Sequence, residues 1–92
     1  MKEYTINNIK YKFEKGNEEI INVEELNEMV TEYFEDFDYI FGDISYNKLR
    51  LKGFNDATNK KVRDINNIKN LDNYIKDYCS YGCKYFLIKK CK

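Results

Sequence analysis

The chain has 92 residues, enough for one domain over residues 1–92, and at 42% apolar and 35% charged it reads as globular rather than disordered. Sixteen bases balance sixteen acids, no apolar run nears the roughly 20 residues that a membrane span needs, and the start MKEYTINNIKYKF lacks an apolar core of signal-peptide length. Three cysteines cannot all pair within the chain, which argues against a secreted disulfide framework and points to a cytoplasmic location.

Residues 3–6 and 9–14 read as two short strands around Asn7-Asn8, since asparagine tolerates the positive φ of a two-residue hairpin turn. Ile9, Tyr11 and Phe13 alternate with Lys10, Lys12 and Glu14, so one face is buried and one is wet. Lys15-Gly16-Asn17 ends that strand. Asn22 then caps a helix, with Glu25 three residues on as in a capping box. Val23, Leu26, Val30, Tyr33, Phe34 and Phe37 form its apolar stripe, backed by glutamates.

Tyr39 to Asp43 reads as a strand, and Tyr46 to Phe54 as the longest one. Phe54 to Lys60 is a turn by composition, and Lys61 to Ile65 a shorter strand. Leu71, Tyr74, Ile75 and Tyr78 mark a second helix capped by Asn70. Gly82 stands where a helix-ending left-handed residue is expected, and Lys84 to Lys90 is the last strand. The order ββαβββαβ predicts a two-layer α+β domain, with an antiparallel or mixed sheet and both helices on one face.

Three patches in this order, DYIFGD (Asp38 to Asp43), LRLKGF (Leu49 to Phe54) and YCSYGCKYF (Tyr78 to Phe86), resemble the YutD-like family of small bacterial domains. With the helices before the end patches they cover most of residues 23 to 90. The resemblance implies a fold and an order of elements, and no catalytic residues. Where the family tends to carry a Trp and extra glycines, this chain has Ile44-Ser45-Tyr46-Asn47.

Asn, Lys, Ile and Tyr supply 45 of the 92 residues. All have A/T-rich codons, so an AT-rich genome explains many of the lysines and asparagines. Arg50, Arg63 and the glycines at 16, 42, 53 and 82 run against that bias. Charge is segregated as well: residues 1–45 carry a net −8 and residues 46–92 a net +8. Either a basic binding surface or an acidic helix offsetting basic strands accounts for this.

The period of two in Tyr46 to Phe54 sets Tyr46, Lys48, Arg50, Lys52 and Phe54 on one face, with Leu49 and Leu51 toward the core. Cations hold phosphates and rings stack on bases, so these five residues are the candidate binding set for RNA or single-stranded nucleic acid. The ordinary alternative is a solvated sheet face with acidic cross-strand partners. Asp36, Asp38 and Asp43 could hold Mg²⁺ for phosphodiester cleavage, although such acids more often cap turns or pair with nearby cations.

Cys79 and Cys83 flank Ser-Tyr-Gly in a spacing that is neither redox nor zinc type, and Cys91 is the other thiol. The chain has no histidine, which removes Ser-His and Cys-His nucleophiles. No metal site, cofactor or catalytic residue is therefore expected. The sequence reads as a non-catalytic domain binding RNA or another phosphate-bearing polymer. A protein-interaction module using the charge-segregated surface is the alternative, and a metal-dependent hydrolase is third.

Overall fold

A computed structural model of the protein describes residues 2–78 and 82–91. Five strands, β1 (Glu3–Ile6), β2 (Ile9–Gly16), β3 (Tyr39–Ser45), β4 (Lys48–Phe54) and β5 (Tyr85–Lys90), form one sheet in the order β1-β2-β5-β3-β4. Every neighbouring pair is antiparallel. The last strand thus inserts at the centre, between β2 and β3, and leaves β1 and β4 as the edges.

Two hairpins frame the sheet. Asn7 and Asn8 turn with φ of 51° and 71°, as their chemistry allows. The β3–β4 turn uses Tyr46 and Asn47 in the same conformation, at 51° and 63°. Tyr46 therefore belongs to the turn and not to the strand. A bulky aromatic rarely adopts a positive φ.

The α+β class and the antiparallel sheet are as expected, while the layering differs. Helix α1 (Val23–Met29) and the 3₁₀ turn at Glu32–Asp36 cover one face, where Leu26, Val30, Phe34 and Phe37 pack with Ile40, Phe86 and Ile88. Helix α2 (Leu71–Tyr78) covers the opposite face, where Leu71 packs with Tyr39, Phe41, Phe54 and Leu87. The two helices thus flank the sheet instead of sharing a face, giving three layers. The physical reason is in the central strands. Tyr39-Ile40-Phe41 and Phe86-Leu87-Ile88 are continuous apolar runs with every residue buried, and such runs need cover on both sides.

The expected strand over Lys61 to Ile65 does not form. After β4 the chain turns through a loop and two short 3₁₀ turns, Asp64–Asn66 and Ile68–Asn70. A buried polar knot holds this loop down. Asn55, 1% exposed, accepts from the Asp38 N–H through its side chain at 3.0 Å. Its own backbone N–H donates to the Asn66 carbonyl, and its carbonyl accepts from the Ile68 N–H. The Asp38 carboxylate in turn accepts from the Asp56 N–H and the Asn59 amide, each at 2.9 Å.

The first helix is shorter than its apolar stripe. Asn22 does cap it, accepting from the Glu25 N–H at 3.1 Å. It ends at Met29 because the β1–β2 turn intervenes. The Asn7 side chain donates to the carbonyls of Asn27 and Val30, and the Asn7 N–H donates to the Asn27 side chain. These bonds satisfy carbonyls that a helix end leaves orphaned.

Candidate functional site

Strand β4 is built as the period of two requires, with Lys48 and Arg50 exposed and Leu49 and Leu51 half-buried against the α1-side core. The basic face, however, is the face that α2 partly covers, and the five candidate residues do not assemble into one open platform. Phe54 is 1% exposed and packs edge-on against Phe41 and Tyr74. It has no ring face left for a base, which corrects its assignment as an exposed partner of the cations. Tyr46 is 96% exposed but projects from the hairpin turn.

Each cation has its own surroundings. Arg50 forks onto Asp43 across the β3–β4 pair, with Nε at 3.3 Å and Nη2 at 2.5 Å, and also reaches the Tyr78 carbonyl at 3.3 Å. Asp43 is 2% exposed, and a buried carboxylate requires such a partner. Lys52 is half-buried. Its ammonium stands 5.2 Å from the Phe54 ring centre and 5.4 Å from that of Tyr74, within cation–π range. Burial holds that ammonium below the usual lysine range. Lys48, beside the turn, is exposed.

The three aspartates considered for a metal are dispersed among structural tasks. Asp38 pins the loop after β4, Asp43 pairs with Arg50, and Asp36 pairs with Lys61 at 2.9 Å. The Lys61 ammonium, through its hydrogen bond and charge, lowers the Asp36 carboxyl from its ordinary value. Among the described residues no group of three acids or cysteines converges on a metal position. Cys83 and Cys91 are free thiols, half-buried, and Cys79 lies outside the described residues.

Along the outer edge of β4 the structure assembles something else. Tyr33 from the α1 side, Ile65 from the loop and Tyr78 from the end of α2 are 66%, 74% and 64% exposed. They flank two clefts that meet at Lys52 and Ile65. The smaller, about 140 Å³, lies between Tyr33, Phe37, Leu51 and Gly53. The larger, about 390 Å³, is walled by Tyr74 and Tyr78 with Asp64 and Asp77 at its rim. Gly53 shapes the first of these, because a Cβ there would lie 2.3 Å from the Phe37 ring.

This rim is hidden in the sequence for identifiable reasons. Tyr33 sits on the apolar stripe and was expected in the core, but the helix stops at Met29 and the following 3₁₀ turn rotates Tyr33 outward. Ile65 was assigned to a strand that does not form. A lone isoleucine within VRDINN, without alternating apolar neighbours, was the available signal.

With this geometry in view, the family model described as "Putative antitoxin YutD-like" matches residues 5–89. The chain belongs to the YutD-like family. A relative from Bacillus subtilis strain 168, described as "Putative antitoxin YutD", is 50% identical over 54 residues. That match spans 59% of this chain and 59% of the relative, so the chain covers about three-fifths of the length of that YutD protein. A solution NMR structure of protein yutD from B. subtilis superimposes with a TM-score of 0.78 at 34% identity, over all of this chain and 84% of the other. The likeness thus extends through the whole fold. No helix among the described residues is long and apolar enough to cross a membrane.

Proposed function

We propose that this YutD-like domain is a non-catalytic, cytoplasmic protein-interaction module whose partner surface is the outer edge of β4. The supporting observation is the exposure of Tyr33, Ile65 and Tyr78 around two adjoining clefts. Large apolar groups grouped with a desolvated cation resemble the core of a protein interface, where aromatics supply contact area. The name carried by the family and by the B. subtilis relative fits a role exercised by binding another molecule. Under this reading the domain is an antitoxin that acts on a protein partner.

Binding of RNA or another phosphate-bearing polymer through Tyr46, Lys48, Arg50, Lys52 and Phe54 draws less support. Phe54 is buried, Arg50 holds Asp43, and Lys52 lies over two rings. The deciding experiment is affinity capture from native lysate, with and without nuclease, comparing the wild type with the triple variant Tyr33→Ala, Ile65→Ala, Tyr78→Ala. A protein that survives nuclease treatment and is lost with the triple variant supports the proposal. Capture that vanishes with nuclease, or that ignores the triple variant, overturns it.

A further inference from the structure

The edge strand carries its own record of which backbone groups are unpaired. The two-residue turn makes Ser45 and Lys48 the closing pair of the hairpin, with Asp43↔Arg50, Phe41↔Lys52 and Tyr39↔Phe54 following at alternate positions. In an antiparallel pair only alternate residues exchange hydrogen bonds with the neighbour. The backbones of Lys48, Arg50, Lys52 and Phe54 therefore face β3, and those of Leu49, Leu51, Gly53 and Asn55 face outward. Asn55 confirms the phase, since its outward N–H and carbonyl are the ones bonded to Asn66 and Ile68. That short parallel contact closes the edge at Asn55, and the Phe37 ring packs over buried Gly53; among the described residues no strand pairs with the edge at Leu49 and Leu51.

An open row of alternating donors and acceptors is satisfied by an extended polypeptide. We propose that β4 receives a sixth strand, an extended segment of about five residues (at 3.3 Å per residue) from a protein partner. This rests on the interaction reading above and names its mode. A second copy of this chain is a poor occupant. Antiparallel self-pairing with Leu49 opposite Leu51 sets Lys48 against Lys52 and Arg50 against itself. Self-pairing about Leu51 sets Arg50 against Lys52. Like charges directly opposite destabilise a pair.

The same pattern specifies the foreign strand. Its side chains on the Leu49 and Leu51 face are apolar, the last of them seated in the cleft between Tyr33 and Ile65. On the other face an acidic side chain meets Lys48. The Lys52 end already has Asp64 and Asp77 beside it.

The test uses NMR amide hydrogen exchange and a synthetic probe, the capped hexapeptide Val-Glu-Val-Glu-Val-Glu. In the free protein the amides of Leu49 and Leu51 exchange orders of magnitude faster than those of Arg50 and Lys52. At about 90% peptide occupancy they slow about tenfold, because only the unbound fraction exchanges. N-methylation of alternate peptide amides, or lysine in place of glutamate, weakens binding at least tenfold.

Three results overturn strand addition: an N-methylated peptide that binds equally well, the two amides remaining fast at millimolar peptide, or their protection in the free protein rising with protein concentration. The last would identify a second copy as the occupant. Peptide binding that is lost in Ile65→Asp yet leaves those amides fast would sink strand addition alone and leave the apolar rim as the partner surface.

Discussion

Arg50 is the residue whose meaning changes most between sequence and structure. Its guanidinium neutralises Asp43, a carboxylate that is 2% exposed. Removing one member of such a pair strands the other charge in low dielectric. With half of the Arg50 side chain in solvent, Arg50→Ala is expected to cost about 2 kcal/mol, below the range for fully buried pairs. Arg50→Lys recovers only part of this, since an ammonium cannot reproduce the two-point fork. Urea denaturation measures both, and an unchanged midpoint for Arg50→Ala would show that the pair is ornamental. Tyr46 offers the opposite sign. Its φ of 51° in the β3–β4 turn matches that of Asn7 in the β1–β2 turn. Tyr46→Asn gives both hairpins an Asn-Asn turn and is expected to stabilise by roughly 0.5–1 kcal/mol, through relief of left-handed strain. A lower thermal midpoint would mean that the exposed ring contributes to the fold.

At the scale of elements, the β1–β2 hairpin is joined to the acidic segment by two devices, each open to a direct test. Asn7 ties the turn to the end of α1. Asn7→Gly keeps the positive φ accessible while deleting the side-chain bonds, and a loss of about 1 kcal/mol is expected. A chemical melt indistinguishable from the wild type would show that the helix ends at Met29 for another reason. Tyr4 on β1 donates to Glu18 at 2.8 Å. Burial first, then that bond and the Glu18 charge, pushes its phenol up to about 12. The unfolded chain releases this proton near pH 10. The folded state therefore holds more protons between about pH 10 and 12, and its stability falls across that window as pH rises. Tyr4→Phe flattens this part of the alkaline profile, and an equally steep fall in the variant would assign it to other groups.

Most elements were legible because their signals are local. Asn22 and Glu25 mark a helix start, Asn7-Asn8 a turn, and the alternation of Leu49 and Leu51 a half-buried strand. The side of the sheet that each helix takes is not local. It was encoded in Tyr39-Ile40-Phe41 and Phe86-Leu87-Ile88, which demand two cores, whereas the alternating β2 and β4 point to one. The surroundings of Lys52 and Phe54 in the candidate site turn on the same step. Once α2 covers the second face, Phe54 becomes core and Lys52 becomes its lid.

Across the whole molecule the charge segregation is partly spent internally. Asp36–Lys61 and Asp43–Arg50 each join the acidic half of the chain to the basic half, while Lys15–Asp72 at 3.2 Å runs the other way and links β2 to α2. What faces outward with no such account is the apolar rim at the β4 edge. The most direct measurement is site-specific photo-crosslinking in cells, with benzoylphenylalanine placed at Ile65, at Tyr33 and, as controls, at Glu24 and Lys10, followed by identification of the adducts. The account predicts adducts with one and the same protein from positions 65 and 33 and none from 24 and 10. Adducts with RNA at positions 65 and 33, equal yields at all four positions, or a protein captured only from Lys10 or Glu24 would contradict it.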